Sequence, residues 1–465
     1  MADLHVTRRR LMGTGATIGA VGLLAACGTA QMTGGEAAPA DGETSTEAAQ
    51  PETMEVVNIV YASPESPARQ EKEIAIFDDF NAQHANIQVE VAGQAGGWRG
   101  VYEKFMTAHA GGVTLDFVHN GWLTWDRMFQ AGAILDLTEF FKADKLVPAD
   151  LYIESSLFEW VLDGVLGGMP ISTSSDAMAY NKDMFAEAGL EEPPVDTSAK
   201  WWNMDTFLDY AQKLTGDGQF GFGGSLGGGN AAGETTGTYF GQGPWDDDKK
   251  VAFINSPGIM QGLEFWRDVT EVKYHVQPNP DEANELKGGQ RMNTFVTGKI
   301  GMQVSFINQD TNFNWAAGTL PYDGDGPSRS ARISNHGLQI GNAGTEEAVW
   351  TVFTWFMTPE NAGRFPRTAG HVVSPFIDPA YSEVSQEVFR NQLGIDPRAY
   401  FLQAQQTRPH GWGMLKYSAW EKIRNEARPR YREQYQLGQI DTREYADWFQ
   451  KLITDEMSAY FSGGG

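Results

Sequence analysis

The sequence predicts an α/β protein built from two lobes, and three observations lead to this class. The 465 residues exceed what one hydrophobic core usually supports, which favours two domains. Between residues 56 and 137, β-rich runs alternate with stretches of helical period, the pattern of mostly parallel sheets flanked by helices. An extended polar stretch at residues 167–176 then interrupts this pattern, where a strand crossing between the lobes is expected.

Composition excludes several kinds of partner. The formal net charge is −25, which argues against nucleic-acid binding and against electrostatic attachment to anionic lipid. Aromatic residues make up 12% of the chain, enough for large cores and for some ligand platforms. Cys27 is the only cysteine, so the chain has neither an intrachain disulfide nor a cysteine-based metal site.

The first residues predict an exported lipoprotein. Three arginines at positions 8–10 precede a weakly apolar, glycine-rich stretch that ends in LAAC at residues 24–27. Residues 1–27 are therefore predicted to be a signal peptide, with Cys27 lipidated and anchored to the outer face of the cytoplasmic membrane. The paired arginines are typical of twin-arginine export, with general secretion as the alternative. Residues 28–54 contain no aromatic side chain and predict a disordered, flexible tether.

Polar side chains follow the ends of the first predicted strands. These strands lie at residues 56–61, 87–91 and 115–118, and the helices after them at residues 69–84, 102–110 and 125–131. In such sheets ligands bind beyond the carboxyl ends of the strands. The residues that this rule makes candidate ligand contacts are Ser63, Glu65, Asn120 and Trp122.

The polar stretch leads into a short helix. Residues 172–176 are small and polar where a buried strand would carry apolar side chains. From Asp183 the period becomes helical, and Gly189 stands where a helix C-cap is expected. Side chains of a crossing strand would face the cleft between the lobes, which makes Ser174 and Asp176 candidate ligand contacts.

The helix after the crossing carries a family motif. Residues 180–185 read YNKDMF and residues 188–190 read AGL, which resembles the YNKDLF…AGL signature of the extracellular solute-binding proteins of sugar ABC importers, the family of maltose-binding protein. Looser matches, such as AGAILDLT at residues 131–138, extend the resemblance over residues 56–457. The resemblance implies the two-lobed type II periplasmic-binding-protein fold with a hinge. The implied lobes are residues 55–171 with 316–370, and residues 172–315 with 371–465.

The resemblance also implies ligand contacts in the second lobe and at the return to the first. Trp245 corresponds to a ring that stacks on the sugar, with packing over its own turn as the alternative. Phe306 and Asn308 end a strand that lines the cleft, and His336 lies in the segment that re-enters the first lobe. Trp412, on a glycine-flanked loop, is a further stacking candidate.

The implied function is capture of a sugar or oligosaccharide by hinge closure and its delivery to ABC permease subunits. The chain is expected to act as a monomer, without catalysis, cofactor or metal. Polar side chains would bond the sugar hydroxyls, and aromatic rings would lie against its C–H faces.

Other functions stay open at this point. Binding of a polyamine, an anion or a peptide is one alternative. A tethered glycoside hydrolase is another, and it would need two carboxylates such as Glu65 and Asp176. The G-x-S-x-G pattern at residues 223–227 is typical of serine esterases, but the glycine-rich continuation is a poor helix start.

Overall fold

The structure of this protein is a computed structural model. The residues that it describes are 55–94, 96–121, 124–223, 233, 236–244, 251–268, 273–288, 293–305, 311–326, 333–364, 373–406 and 422–462. Within these ranges, no helix combines the length and the apolar character that a membrane span requires.

From Val57 to Gln130 the strands alternate with helices, as predicted, and further strands follow one another directly. The strands are β1 Val57–Ser63, β2 Ile87–Gly93, β3 Phe117–Gly121, β4 Val161–Leu162, β5 Val165–Leu166, β6 Met169–Ser175, β7 Ala177–Asn181, β8 Phe220–Gly223, β9 Ile300–Ser305, β10 Trp315–Gly318 and β11 Ile333–Ile340.

Helices flank these strands in both halves of the chain. They are α1 Pro67–Gln83, α2 Gly97–Ala110, α3 Trp125–Gln130, α4 Thr138–Ala143, α5 Pro148–Leu151, α6 Glu154–Leu157, α7 Lys182–Ala188, α8 Met204–Lys213, α9 Pro257–Arg267, α10 Pro280–Leu286, α11 Glu346–Phe356, α12 Pro359–Ala362, α13 Pro379–Leu393, α14 Arg398–Gln406, α15 Arg428–Arg430 and α16 Thr442–Phe461. Short 3₁₀ turns at Phe158–Trp160, Thr236–Phe240 and Thr294–Thr297 and π-helical turns at Ile423–Ala427 and Tyr431–Tyr435 complete the described helical segments.

The first sheet has the strand order β2-β1-β3-β11-β6. Strand β1 is parallel to both β2 and β3, and β11 runs antiparallel to β3 and β6. Helices α1 and α11 cover this sheet through ring contacts. Phe77 packs edge-on against both Phe117 and Phe356, with ring centroids about 6 Å apart.

The second sheet has the order β10-β7-β9-β8. Strand β7 is antiparallel to both of its neighbours, and β8 is parallel to β9. The strand pairing is therefore mixed rather than mostly parallel as predicted, because β7, β10 and β11 run against their neighbours. Its core contains Trp202, Phe207, Phe222 and Trp266, all buried. Two sheets with separate aromatic cores explain how the chain supports two lobes.

One residue joins the two sheets on the outward path. Strand β6 ends at Ser175 in the first sheet, β7 begins at Ala177 in the second, and Asp176 between them is fully buried. The predicted lobe boundary after residue 171 falls inside β6, because β11 supplies pairing partners for the polar residues up to Ser175. The predicted boundary after residue 315 likewise falls inside β10, which pairs with β7 in the second sheet.

Helix α14 is bonded to residues on both sides of the crossing. The Gln403 side-chain oxygen accepts hydrogen bonds from Thr319 Oγ1 at 2.7 Å and from the Leu320 amide at 3.2 Å, just after β10. One residue further on, the Ala404 carbonyl oxygen accepts from Ser155 Oγ at 2.7 Å. Val373, which lies before α13 in the sequence, pairs through its main chain with Thr173 of β6.

The YNKDMF motif has a structural role in the second lobe. The Asn181 side chain caps α7 by accepting from the Asp183 and Met184 amides, and Gly189 ends that helix with the left-handed φ of 64° expected of a glycine C-cap. The Asp183 carboxylate in turn accepts from the main chain and side chain of Asn314, just before β10. The motif therefore fixes the start of α7 and ties it to the edge strand.

We expect Gly337→Ala in β11 to lower the free energy of unfolding by about 2 kcal/mol. An added Cβ would lie 2.6 Å from Trp160 Cζ2 and 2.8 Å from the Met169 carbonyl oxygen, and neither the buried indole nor the backbone can yield easily. The matched control is Gly121→Ala in β3, where an added Cβ meets no heavy atom within 4 Å. Urea denaturation compares the two, and equal losses would contradict the packing argument.

The Glu192 carboxylate predicts a pH dependence in the second lobe. Tyr180 donates to it at 2.7 Å and Lys182 lies 3.2 Å away; the Tyr180 hydrogen bond, followed by the Lys182 contact, holds the pKa of Glu192 below its ordinary value. A lowered pKa in the folded state stabilises above the unfolded pKa of about 4.3, and the effect is lost as pH falls through the folded value.

Glu192→Gln should therefore cost less than about 1 kcal/mol at pH 7, since the side chain is half exposed, and almost nothing near pH 3. Unfolding free energies of the wild type and the variant at both pH values check this. A difference that does not change with pH would show that the charge of Glu192 is not involved.

Candidate functional site

One edge of the first sheet gathers most of the predicted ligand residues that the structure describes. The parallel strands β1, β2 and β3 end there at Ser63, Gly93 and Gly121. Strand β6 ends at the same edge, and β11 begins there, because β11 runs antiparallel to both β3 and β6. We call this the carboxyl edge of the first sheet.

A buried carboxylate lies beneath the carboxyl edge. Glu73 of α1 accepts hydrogen bonds from Tyr61 Oη at 2.9 Å and from Ser63 Oγ at 2.5 Å, and all three residues are fully buried. His119 Nδ1 lies 3.7 Å from the same carboxylate. Burial, followed by the negative charge of Glu73, raises the pKa of Tyr61 well above its ordinary value, so this phenol stays protonated and donates.

This carboxylate sets the turn that carries Glu65. Because the Ser63 hydroxyl donates to Glu73, its oxygen faces the Glu65 amide and accepts from it at 3.1 Å. Arg69 donates to Glu65 Oε2 at 3.1 Å, and the Gln70 side-chain amide donates to the Glu65 carbonyl oxygen at 2.6 Å. Ser63 thus shapes the turn with its only hydroxyl hydrogen, and Glu65 is the carboxylate that the turn presents at the edge.

The Asn120 side chain forms hydrogen bonds within its own turn. Its amide nitrogen donates to Thr124 Oγ1 at 2.7 Å and lies 3.4 Å from Met128 Sδ, and its oxygen accepts from the Gly121 amide at 2.9 Å. These contacts hold the β3–α3 turn. The structure therefore places Asn120 at the predicted edge, with its polar atoms engaged by the turn itself.

An aromatic cluster that sequence reasoning missed lies at the same edge. Trp98, at the start of α2, packs edge-on against His119 and His336, with ring centroids 4.8 and 4.3 Å away. The two histidine rings lie 5.5 Å from each other. The sequence pattern that could have indicated this cluster is a tryptophan among glycines shortly after a strand end. Gly96 and Gly97, which precede Trp98, have φ of 90° and 61°, values that other residues rarely adopt.

The crossing strand adds a hydroxyl beside His336. Ser172 lies directly opposite His336 in the β6–β11 ladder, so both side chains are on one face of the sheet. Ser172 Oγ is buried and has no hydrogen-bond partner among the residues that the structure describes. Ser174 pairs through its backbone with Ser334, and its side chain lies outside the described part.

The second lobe presents a corresponding edge next to Asp176. Strand β9 ends at Ser305 opposite Ala177, and the parallel strand β8 ends nearby at Gly223. Several predicted ligand residues and the predicted lipidation site lie outside the described residues: Cys27, Trp122, Trp245, Phe306, Asn308 and Trp412. Phe306 and Asn308 follow β9 directly in sequence.

The described part of the chain contains no metal-binding cluster, and a large groove there lies away from the predicted ligand residues. No group of three or more histidine, cysteine, aspartate or glutamate side chains there is arranged to hold a metal ion. A groove of about 740 Å³ lies between α5, α6 and the start of α13, and its lining includes Tyr152, Ile153 and Ile377. None of the predicted ligand residues lines this groove.

Comparison with known proteins decides the family. The family of bacterial extracellular solute-binding proteins matches residues 64–363, more than half of the chain. The chain belongs to this family. The family prediction from the YNKDMF motif is confirmed, and the family is one of binding proteins that act outside the cytoplasm.

Three individual proteins are similar to this solute-binding protein. The ABC substrate-binding protein Lmo0181 from Listeria monocytogenes, solved with cycloalternan, has a TM-score of 0.67 and 21% identity, covering 87% of this chain and 100% of its own. The cyclic alpha-maltosyl-1,6-maltose binding protein of Arthrobacter globiformis has the same TM-score and 17% identity, covering 86% and 99%. The sn-glycerol-3-phosphate-binding periplasmic protein UgpB of Pectobacterium atrosepticum is 24% identical over 346 residues, 68% of this chain and 72% of its own. The predicted two-lobed type II fold is thereby confirmed.

We expect Glu73→Gln to destabilise the solute-binding protein by about 2 kcal/mol. A glutamine offers one acceptor oxygen in place of two, so either Tyr61 or Ser63 loses its buried partner. Glu71→Gln, an exposed position on the same helix, is the matched control and should change stability by less than about 0.5 kcal/mol. Denaturation curves at pH 7 provide the comparison, and equal stability of the two variants would contradict the role given to Glu73.

Proposed function

We propose that this solute-binding protein captures a sugar or oligosaccharide between its lobes and delivers it unchanged to the permease of an ABC importer. The observation that carries the proposal is the convergence of Glu65, Ser172, His336 and Trp98 at one sheet edge beside the crossing. Hydroxyl-bonding groups next to an aromatic ring are what a pyranose needs. The cycloalternan and maltosyl-maltose specificities of the two solved relatives support the same ligand class.

Capture would depend on contacts from both lobes. A ligand that touches the carboxyl edge and the second lobe binds the closed arrangement better than the open one and shifts the population toward it. We assign the second-lobe contacts to Trp245, Phe306, Asn308 and Trp412. Ser174 and Asp176 at the crossing, together with Trp122, complete the proposed set of contacts beyond the described edge.

The proposed protein is tethered and monomeric. Cys27, lipidated after removal of the signal peptide, would anchor it to the outer face of the cytoplasmic membrane, and residues 28–54 would let the body rotate to meet the permease. The arginines at positions 8–10 support twin-arginine export of the folded chain. The proposal includes no catalytic step.

A phosphorylated glycerol derivative is the second candidate, because the Pectobacterium relative is a glycerol-3-phosphate-binding protein. A phosphate would need donors such as guanidinium groups or helix N-termini. Arg69, a guanidinium at the edge, donates to Glu65, and a carboxylate there disfavours an anion. The charge at the edge therefore disfavours a phosphate ligand.

Calorimetric titration against carbohydrates, sn-glycerol 3-phosphate, polyamines and peptides tests the proposal. One class of carbohydrate should bind, be recovered uncleaved, and at 100 times its Kd raise the free energy of unfolding by about 2.7 kcal/mol. Recovery of cleaved sugar would overturn the binding role and make Glu65 and Asp176 candidate catalytic carboxylates. Binding of the phosphate, a polyamine or a peptide alone would overturn the sugar specificity.

Glu65→Gln should weaken binding of that carbohydrate about tenfold, because a charge-assisted hydrogen bond to a hydroxyl becomes a neutral one. The same titration measures the effect. Glu71→Gln on the exposed face of α1 serves as the control and should leave affinity unchanged. Equal affinities for all three proteins would remove Glu65 from the site.

A further inference from the structure

The start of α2 lies against the turn that carries Glu65. The Gln94 amide, just after β2, donates to the Ser63 carbonyl oxygen at 2.9 Å. A Cβ added at Gly97 would lie 3.9 Å from the Pro64 carbonyl oxygen. These contacts place the start of α2, which carries Trp98, against the turn that carries Glu65.

The indole of Trp98 differs from the tryptophans that fill the cores. Trp160 and Trp202 are 0% and 1% exposed, whereas Trp98 is partly exposed. Its ring is nonetheless held in a fixed direction, since the His119 and His336 rings meet it at interplanar angles of 90° and 83°. The indole is therefore oriented by ring contacts while part of its surface stays exposed.

We propose that Trp98 is the aromatic platform of the first lobe, with the exposed part of its indole packing against the C–H face of a sugar ring. His119 and His336 are positioning residues that set the angle of the indole. This inference rests on the proposed sugar-binding function and deepens it, because it adds to the first lobe a ring contact that the sequence did not predict.

The polar groups around the platform fit a ring with hydroxyls at its rim. Glu65 lies on the turn against which α2 begins, and its carboxylate, which accepts from Arg69 at 3.1 Å, is a group that can also accept from a sugar hydroxyl. His336 touches the indole and lies opposite Ser172, whose buried hydroxyl lacks a partner among the described residues. A pyranose presents an apolar face to the indole and hydroxyls to its surroundings, whereas a glycerol phosphate has no ring face to offer.

The platform is tested by titration of the purified protein and its Trp98→Ala variant with cycloalternan, maltotriose, mannotriose and monosaccharides, with sn-glycerol 3-phosphate as the ringless probe. Trp98→Ala should weaken binding of the carbohydrate that the wild type prefers by about tenfold to a hundredfold. Trp98→Phe should restore most of that loss, since a smaller aromatic face remains.

The matched control is Trp201→Ala. Trp201 is 37% exposed and packs against Trp202 in the second lobe, so its loss should leave the affinity unchanged. Circular dichroism checks that each variant is folded. If Trp98→Ala does not fold, Trp98→Leu, which fills the space without an aromatic face, makes the same test.

The outcomes separate this inference from the proposed function. If a carbohydrate binds and Trp98→Ala or Trp98→Leu binds it as tightly as the wild type, Trp98 is not the platform, while the sugar-binding function stands. If Trp98→Phe is as weak as Trp98→Ala, the loss is not due to an aromatic face, and the platform is again overturned. If no carbohydrate binds, or only sn-glycerol 3-phosphate does, both proposals fail together.

Discussion

The buried Glu73 carboxylate is the interaction on which the carboxyl edge depends. It accepts from Tyr61 and Ser63 at once, and through Ser63 it fixes the amide of Glu65. A buried charge is costly unless it is fully hydrogen-bonded, so the two hydroxyl donors are needed to hold it there. The carboxylate also orients both hydroxyl groups, and through Ser63 it fixes the position of the Glu65 amide in the β1–α1 turn. The part of the site nearest the core is therefore rigid before any ligand arrives, which reduces the ordering cost of binding.

The two sheets are connected by one short segment and one longer segment. Asp176 alone links β6 to β7 on the outward path, and the return path runs between Gly318 and Ile333. Helix α14 is hydrogen-bonded to residues on both sides of the crossing. Its Gln403 side chain accepts from Thr319, just after β10, and its Ala404 carbonyl oxygen accepts from Ser155 in α6. Two sheets that a single residue joins on the outward path can rotate about that residue, as hinge closure requires. A hydrogen-bonded carboxyl edge and a one-residue link at Asp176 together suit a protein in which the ligand favours one of two lobe arrangements.

Local chemistry made much of the fold predictable. The first strand, the helix predicted from Asp183 and the Gly189 C-cap all follow from residues close together in the sequence, and the structure contains each of them. What the sequence did not reveal depends on distant partners. The polar residues up to Ser175 form a strand because β11 pairs with them, and Trp98 gains its orientation from His119 and His336, which come from two different strands. Likewise, Ser63 was predicted as a ligand contact, but its hydrogen is taken by Glu73 on the following helix.

Small-angle X-ray scattering with and without a saturating carbohydrate tests the central claim, capture by closure of the lobes, most directly. The account predicts that the radius of gyration of the protein falls when the carbohydrate binds, and that Trp98→Ala needs a higher carbohydrate concentration for the same contraction. A radius of gyration that stays constant while calorimetry shows full occupancy would contradict closure. The carbohydrate would then bind to one lobe alone, without drawing the two lobes together.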